Sequence, residues 1–228
     1  MAPLPYPLAP TSEIELQQRV DEIAGLTVAE LAKQCGIAVP TDLRSHKGWL
    51  GDLAERALGC DAASLSEPDF MDLGIELKTL PVNHKGLMQE STYICTVPLK
   101  NTATCTWKTS SVYKKLRHVL WLPVQACPDI PLAERYIGTG LLWRATENQL
   151  AALERDWQEL MSIITLGEFE SLSAQHGDIL QIRPKAANAS VLVDAIGPDV
   201  KLIQTLPRGF YLRPHFTNKL LKEYFLAN

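Results

Sequence analysis

Residues 68–78 read Pro68-Asp69-Phe70-Met71-Asp72-Leu73-Gly74-Ile75-Glu76-Leu77-Lys78. The stretch 73–80 alternates and carries Ile75 and Thr79, which predicts a strand. Residues two apart on a strand share a face, so Glu76 and Lys78 point one way while Ile75 and Leu77 enter the core. Asp69 stands seven residues before Glu76, just past Pro68, where a turn or bent entry strand brings its carboxylate alongside. Two carboxylates converging on one spot hold a hard divalent cation, Mg2+ being the usual choice beside phosphate. A neighbouring ammonium orients or helps deprotonate a water for in-line attack on phosphorus, and the cation acidifies that water and neutralises charge on the phosphate. The expected catalytic set is Asp69, Glu76 and Lys78, with Asp69 and Glu76 as metal ligands, in a metal-dependent phosphodiesterase.

A D…E-x-K spacing alone is a weak signal, because acids and lysines are common on exposed strand faces. The chain carries its own decoy, Asp199-Val200-Lys201 preceded by Asp194. There the upstream acid falls in an expected amphipathic helix over 186–196, ahead of Gly197-Pro198, and the turn-then-strand context is missing. Glu55 adds weight to the first set. On an expected helix over 47–59, Leu53, Ala54, Ala57 and Leu58 mark the buried side, and Glu55 lies beside that stripe. An acid near a buried face needs a partner, which a metal site supplies and a salt bridge to Arg56 or a lysine would supply equally. Glu55 is thus a candidate further ligand of the same cation, with a salt bridge as the alternative.

Outward from this segment, helices and strands intermix without a regular βαβ period, so a mixed α/β sheet is expected. Capping boxes open helices at Ser12–Glu15, Thr27–Glu30 and Thr146–Gln149. Further strands are expected over 91–97, 119–124, 180–183 and 210–213. A basic helix is expected over 110–117 and a closing one over 217–226.

The 228 residues carry a net charge of −4, which taken whole argues against a polyanionic partner. The charge is segregated: −8 over 1–77, +6 over 78–126, −6 over 127–180 and +4 over 181–228. Folding that joins the two basic segments would make a face that attracts a polyanion even on an acidic protein, screening confining each field to about 10 Å. The same blocks could instead pair with one another as surface salt bridges. No membrane span is expected. Met1–Pro10 is Pro-rich without a cationic start, so it reads as a flexible arm rather than a signal peptide. Five cysteines without a C-x-x-C pair suggest neither a zinc site nor a disulfide framework, and a cytoplasmic protein is expected. His118 and His176, without partners at ligand spacing, read as structural.

With these residues in view the chain resembles, over nearly its whole length, the MutH family of DNA mismatch-repair endonucleases. The stretches that carry the resemblance are Lys47-Gly48-Trp49-Leu50-Gly51, Asp69 through Pro81, Val119-Leu120-Trp121, Leu141-Leu142-Trp143, Asp156 through Met161, Gln181 through Asn188 and Leu206 through Leu212. The resemblance implies a single restriction-endonuclease-like α/β domain over 1–228, its mixed sheet flanked by helices and its two lobes set around a DNA-binding cleft. It implies Mg2+-dependent nicking of the unmethylated strand at hemimethylated GATC sites, with Mn2+ able to substitute. It further implies a monomer stimulated by MutL after MutS finds a mismatch.

Position by position, Asp69, Glu76, Lys78 and Glu55 match the family's active-site residues. Lys47 matches a lysine near the DNA, and Lys115, Arg183, Pro184 and Tyr211 match positions of DNA contact or site reading. Tyr93 stands where the family can carry another aromatic, which implies a stacking or apolar role among the DNA-binding positions. The residues themselves are compatible: an arginine fork at Arg183 suits guanine or phosphate, and the run Lys114, Lys115, Arg117 suits phosphate contact. The arm and residues 127–155 match least and are assigned no role. The alternatives are a restriction enzyme cutting both strands and a DNA-binding regulator whose motif is structural.

Overall fold

A computed structural model describes residues 7–43, 46–62, 66–173, 175–186 and 190–227. In chain order these form α1 (Glu13–Ile23), α2 (Val28–Gln34), α3 (Trp49–Leu58), β1 (Glu76–Val82), β2 (Thr92–Thr96), α4 (Ser111–Leu116), β3 (His118–Gln125), β4 (Leu141–Arg144), α5 (Glu147–Thr165), β5 (Leu180–Pro184), β6 (Val193–Ile196), β7 (Leu202–Thr205), β8 (Arg208–Leu212) and α6 (Pro214–Ala227). They divide into two compact units, one of residues 1–89 and 118–144, the other of 90–117 and 145–228. The charge segregation follows this division: nine basic against fifteen acidic residues make the first unit −6, and thirteen against eleven make the second +2.

In the first unit β3 is central. It is buried along nearly its whole length, as its uninterrupted apolar run dictates. β1 pairs with it in parallel and β4 antiparallel, giving the mixed sheet expected. Helices α1, α2 and α3 supply Leu16, Val20, Leu31, Leu53 and Leu58 to a core shared with Ile75, Leu77, Leu120 and Leu122. The box at Thr27 closes on both sides, as does the one at Thr146 in the second unit. At Ser12 the hydroxyl accepts from the Glu15 amide, but the Glu15 carboxylate bonds the amide and hydroxyl of Thr11 instead, so the expected box is not reciprocal. Residues 1–6 of the expected arm lie outside the described residues. Pro10 is buried, and the Leu8 carbonyl accepts from Arg19 Nη1 at 2.7 Å.

In the second unit β8 lies between β2 and β5, antiparallel to both. α4 packs on β2 and α5 on β5. The entry to β5 is fixed by Asp156 of α5, whose Oδ2 accepts from the amides of Asp178, Ile179 and Leu180 at 2.9, 2.6 and 3.0 Å. The helix expected over 186–196 does not form. Residues 187–189 lie outside the described ones, and Val193–Ile196 is instead strand β6, antiparallel to β7. A helical apolar period gave way here to the pairing partner that Leu202–Thr205 offers. Among the described residues no helix is long and apolar enough to cross a membrane.

Candidate active site

The turn ahead of β1 folds back on itself. Phe70 and Ile75 exchange backbone hydrogen bonds of 2.9 and 3.2 Å, and Gly74 takes the positive φ, 64°, that the reversal requires. Phe70 anchors the turn in the core, and full burial of such a side chain stabilises by roughly 1.5–3 kcal/mol. Asp61 clasps the turn from outside: its carboxylate accepts from the Met71 amide, and its own amide donates to the Asp69 carbonyl. The result sets Asp69 beside the start of β1, where its Oδ2 accepts from the Leu77 amide at 2.8 Å.

Glu76 is 1% exposed, and Lys78 Nζ lies 2.5 Å from its Oε1. The partition of faces is as expected, Ile75 and Leu77 joining the core. The burial of Glu76 sets this pair apart from an acid and a lysine on a solvated strand face. The decoy shows what that alternative looks like: Asp199 and Lys201 are both exposed and 3.7 Å apart, and Asp194 is tied to Lys100.

Glu55 reaches this spot half-buried from α3 and makes no ion pair within 4.0 Å among the described residues. Burial pushes its carboxyl above the ordinary value, and the charges of Asp69, Asp52 and Glu76 push it further against the pull of Lys78. The same negative field, added to burial, pushes the Cys60 thiol up. Three carboxyl groups thus lie in one another's field beside the Lys78 ammonium. Their negative charge repels a phosphate, and an all-oxygen donor set suits a hard divalent cation that would offset it. In this conformation Lys78 serves as the counter-cation of Glu76, and the three carboxylates do not close as a set to within 4.8 Å. Lys47 is exposed in the turn ahead of α3.

The remaining expected residues lie in the second unit, on one sheet except for Lys115. Tyr93 on β2 faces Tyr211 on β8 across the ladder, their rings edge to face with centroids 5.4 Å apart. Arg183, on β5, lies 5.8 Å from the Tyr211 ring centroid, and Arg183 and Pro184 are both exposed. The space under the two rings belongs to Gly209, where a Cβ would stand 2.9 Å from Tyr93 Cε2 and 3.0 Å from Tyr211 Cε2. Lys185, not singled out in the sequence, places Nζ 3.6 Å from the Tyr93 centroid. Its place two residues beyond Arg183 was the available signal. Lys115 departs from the expected solvated run: it is only 5% exposed, whereas Lys114 is half-buried and Arg117 exposed. Helix α4 turns it inward with Val112 and Leu116.

A mixed sheet flanked by helices, with an aspartate in the turn before a Glu-x-Lys strand and a further acid reaching them from a helix, belongs to the restriction-endonuclease-like class of metal-dependent nucleases. A family model described as "DNA mismatch repair enzyme MutH" matches residues 58–156. The DNA mismatch repair protein MutH of Vibrio cholerae is 48% identical over 217 residues, 95% of this chain and 98% of that one. Its counterpart in Yersinia enterocolitica is 47% identical over 220 residues, 96% of each chain. The chain belongs to the MutH family and is a DNA mismatch-repair endonuclease with a divalent-metal cofactor.

Proposed function

We propose that this endonuclease nicks the unmethylated strand at hemimethylated GATC sites, using Mg2+, or Mn2+ in its place, when MutL stimulates it after MutS has found a mismatch. It works in the cytoplasm as a monomer, residues 1–228 acting as one catalytic domain of two lobes. The observation that carries this reading is the Glu76–Lys78 pair, its glutamate buried, beside an amide-anchored Asp69 and a half-buried Glu55 in the same negative field.

Asp69, Glu76 and Glu55 would hold the cation, which supplies charge neutralisation at the phosphate and a more acidic bound water. The Leu77 amide fixes the direction of Asp69 and leaves its second oxygen for this work. Lys78 holds and orients the attacking water, and its charge meets the negative charge that gathers on the phosphate as the new bond to phosphorus forms and the bond to the leaving sugar oxygen breaks. Burial of Glu76 excludes bulk water from this pair.

Arg183 presents a guanidinium for bidentate contact with a base edge or phosphate, and Pro184 and Tyr211 read the shape of the adjacent base. Tyr93 buttresses Tyr211. Lys47 contacts the backbone near the acids, and Lys115 enters as a buried charge beneath the surface rather than as a solvated phosphate contact. The test is plasmid cleavage by Glu76→Ala. Nicking should be lost while GATC binding persists, and the wild-type product should be nicked rather than linear. Retained nicking would overturn the active-site assignment.

A further inference from the structure

Strands β1 and β3 run parallel and in register to Val82 opposite Gln125, and the Ala126 amide donates to the Val82 carbonyl at 2.8 Å. Residues two positions past each strand end therefore meet, although they are far apart in sequence. On one side is His84, in a turn built by Asn83, whose Oδ1 accepts from the amides of Lys85 and Leu87. On the other are Cys127 and Asp129, in a loop held by Arg135, which donates to the carbonyls of Cys127 and Ile130. His84 Nε2 lies 3.0 Å from Asp129 Oδ1, and these atoms and Cys127 Sγ all fall within 4.8 Å of one another. Cys127 is fully buried, and its thiol makes no hydrogen bond among the described residues.

We propose that His84, Cys127 and Asp129 form a second metal site, specific for Zn2+ and distinct from the hydrolytic centre. A thiolate and a carboxylate balance the charge of a divalent ion, and thiolate with imidazole favours Zn2+ over Mg2+. Zn–N and Zn–O bonds of roughly 2.0–2.1 Å place neighbouring tetrahedral donors about 3.3 Å apart, close to the His84–Asp129 separation. Only rotation of the two exposed side chains toward the sulfur is needed, and water takes the fourth position. Both loops are already braced through their backbones, so binding orders little beyond those side chains. Six residue steps along β1, about 20 Å, separate Glu76 from the strand end that carries His84, so the site clasps the ends of β1 and β3 rather than serving hydrolysis.

The test uses the whole, metal-stripped protein titrated with Co2+ in excess Mg2+, which keeps the hydrolytic carboxylates occupied. One equivalent of Co2+ should produce a thiolate-to-metal charge-transfer band with tetrahedral ligand-field absorption, and Zn2+ should abolish both. The band should vanish in Cys127→Ser, persist in Asp69→Asn, and require at least tenfold more Co2+ in His84→Ala and Asp129→Ala, whose exposed positions leave folding intact. Zn2+ at a hundredfold excess over its Kd should raise Tm by roughly 5–10 °C in the wild type and in Asp69→Asn, but not in Cys127→Ser. Absence of the band, or an equal band in Cys127→Ser, would overturn the proposal. Loss of the signal in Asp69→Asn would assign the ion to the hydrolytic centre and overturn it too.

Discussion

Replacing Asp156 by alanine removes one carboxylate oxygen that receives three amides at the entry to β5. The carboxylate is 2% exposed, so water does not readily take its place. Of the three amides, that of Asp178 belongs to an exposed residue and can be rehydrated, whereas Ile179 and Leu180 are buried. Each amide left buried and unsatisfied costs roughly 1–3 kcal/mol, so Asp156→Ala should destabilise by about 4 kcal/mol. Asp156→Asn keeps an acceptor in place but forfeits its charge, and should cost about half as much. For a chain of this length 1 kcal/mol moves Tm by roughly 2–4 °C, which predicts a drop of about 8–16 °C for alanine. Thermal or urea unfolding measures it. An alanine variant within about 1 kcal/mol of wild type, or one no worse than the asparagine variant, would refute the role of Asp156 as the anchor of β5.

Three further outcomes follow from the two units. Glu55→Gln should raise the melting temperature of the metal-stripped protein at neutral pH. A carboxyl whose folded value is raised weakens folding as pH climbs from its unfolded value through the raised one, so the gain should close as pH falls toward the ordinary carboxylate range. Equal melting temperatures at pH 7 would contradict the strained-acid reading. Gly209→Ala should cost about 1–2 kcal/mol through overpacking and weaken DNA binding, because the new Cβ displaces both tyrosine rings. Adding Tyr93→Ala should recover the stability, and a double mutant as unstable as the single one would refute that cause. Arg183→Ala and Lys185→Ala should each weaken DNA binding and lower the slope of affinity against salt by about one. Wild-type binding across a salt series would remove both from the interface.

Much of the first unit was legible because its signals are local. The alternation through Ile75 and Leu77, the apolar run of β3 and the box at Thr27 act within a turn or a strand and hold in the fold, as does the box at Thr146 in the second unit. What spacing could not show was depth. Glu76 and Lys78 share a strand face with the same i, i+2 spacing as the solvated Asp199 and Lys201, and only packing against the core separates them. Lys115 escaped for the same reason, since a six-residue helix presents too few turns for its charged and apolar faces to be told apart. The segment containing Val193–Ile196 was misread as helix because its apolar spacing fits either period until β7 supplies a partner. β4, four residues long, is too short to register against its flanks. His84, Cys127 and Asp129 could not be seen as a set, because zinc-spacing rules search along the chain and these ligands meet across a parallel strand pair.

The most direct test of the central claim is strand-resolved cleavage of a hemimethylated GATC duplex in Mg2+ with MutL present, each strand carrying its own label. The nick should fall on the unmethylated strand alone, disappear in Glu76→Ala or when the metal is chelated, and be absent from the fully methylated duplex. Equal cutting of both strands, or cleavage that survives Glu76→Ala, would contradict it.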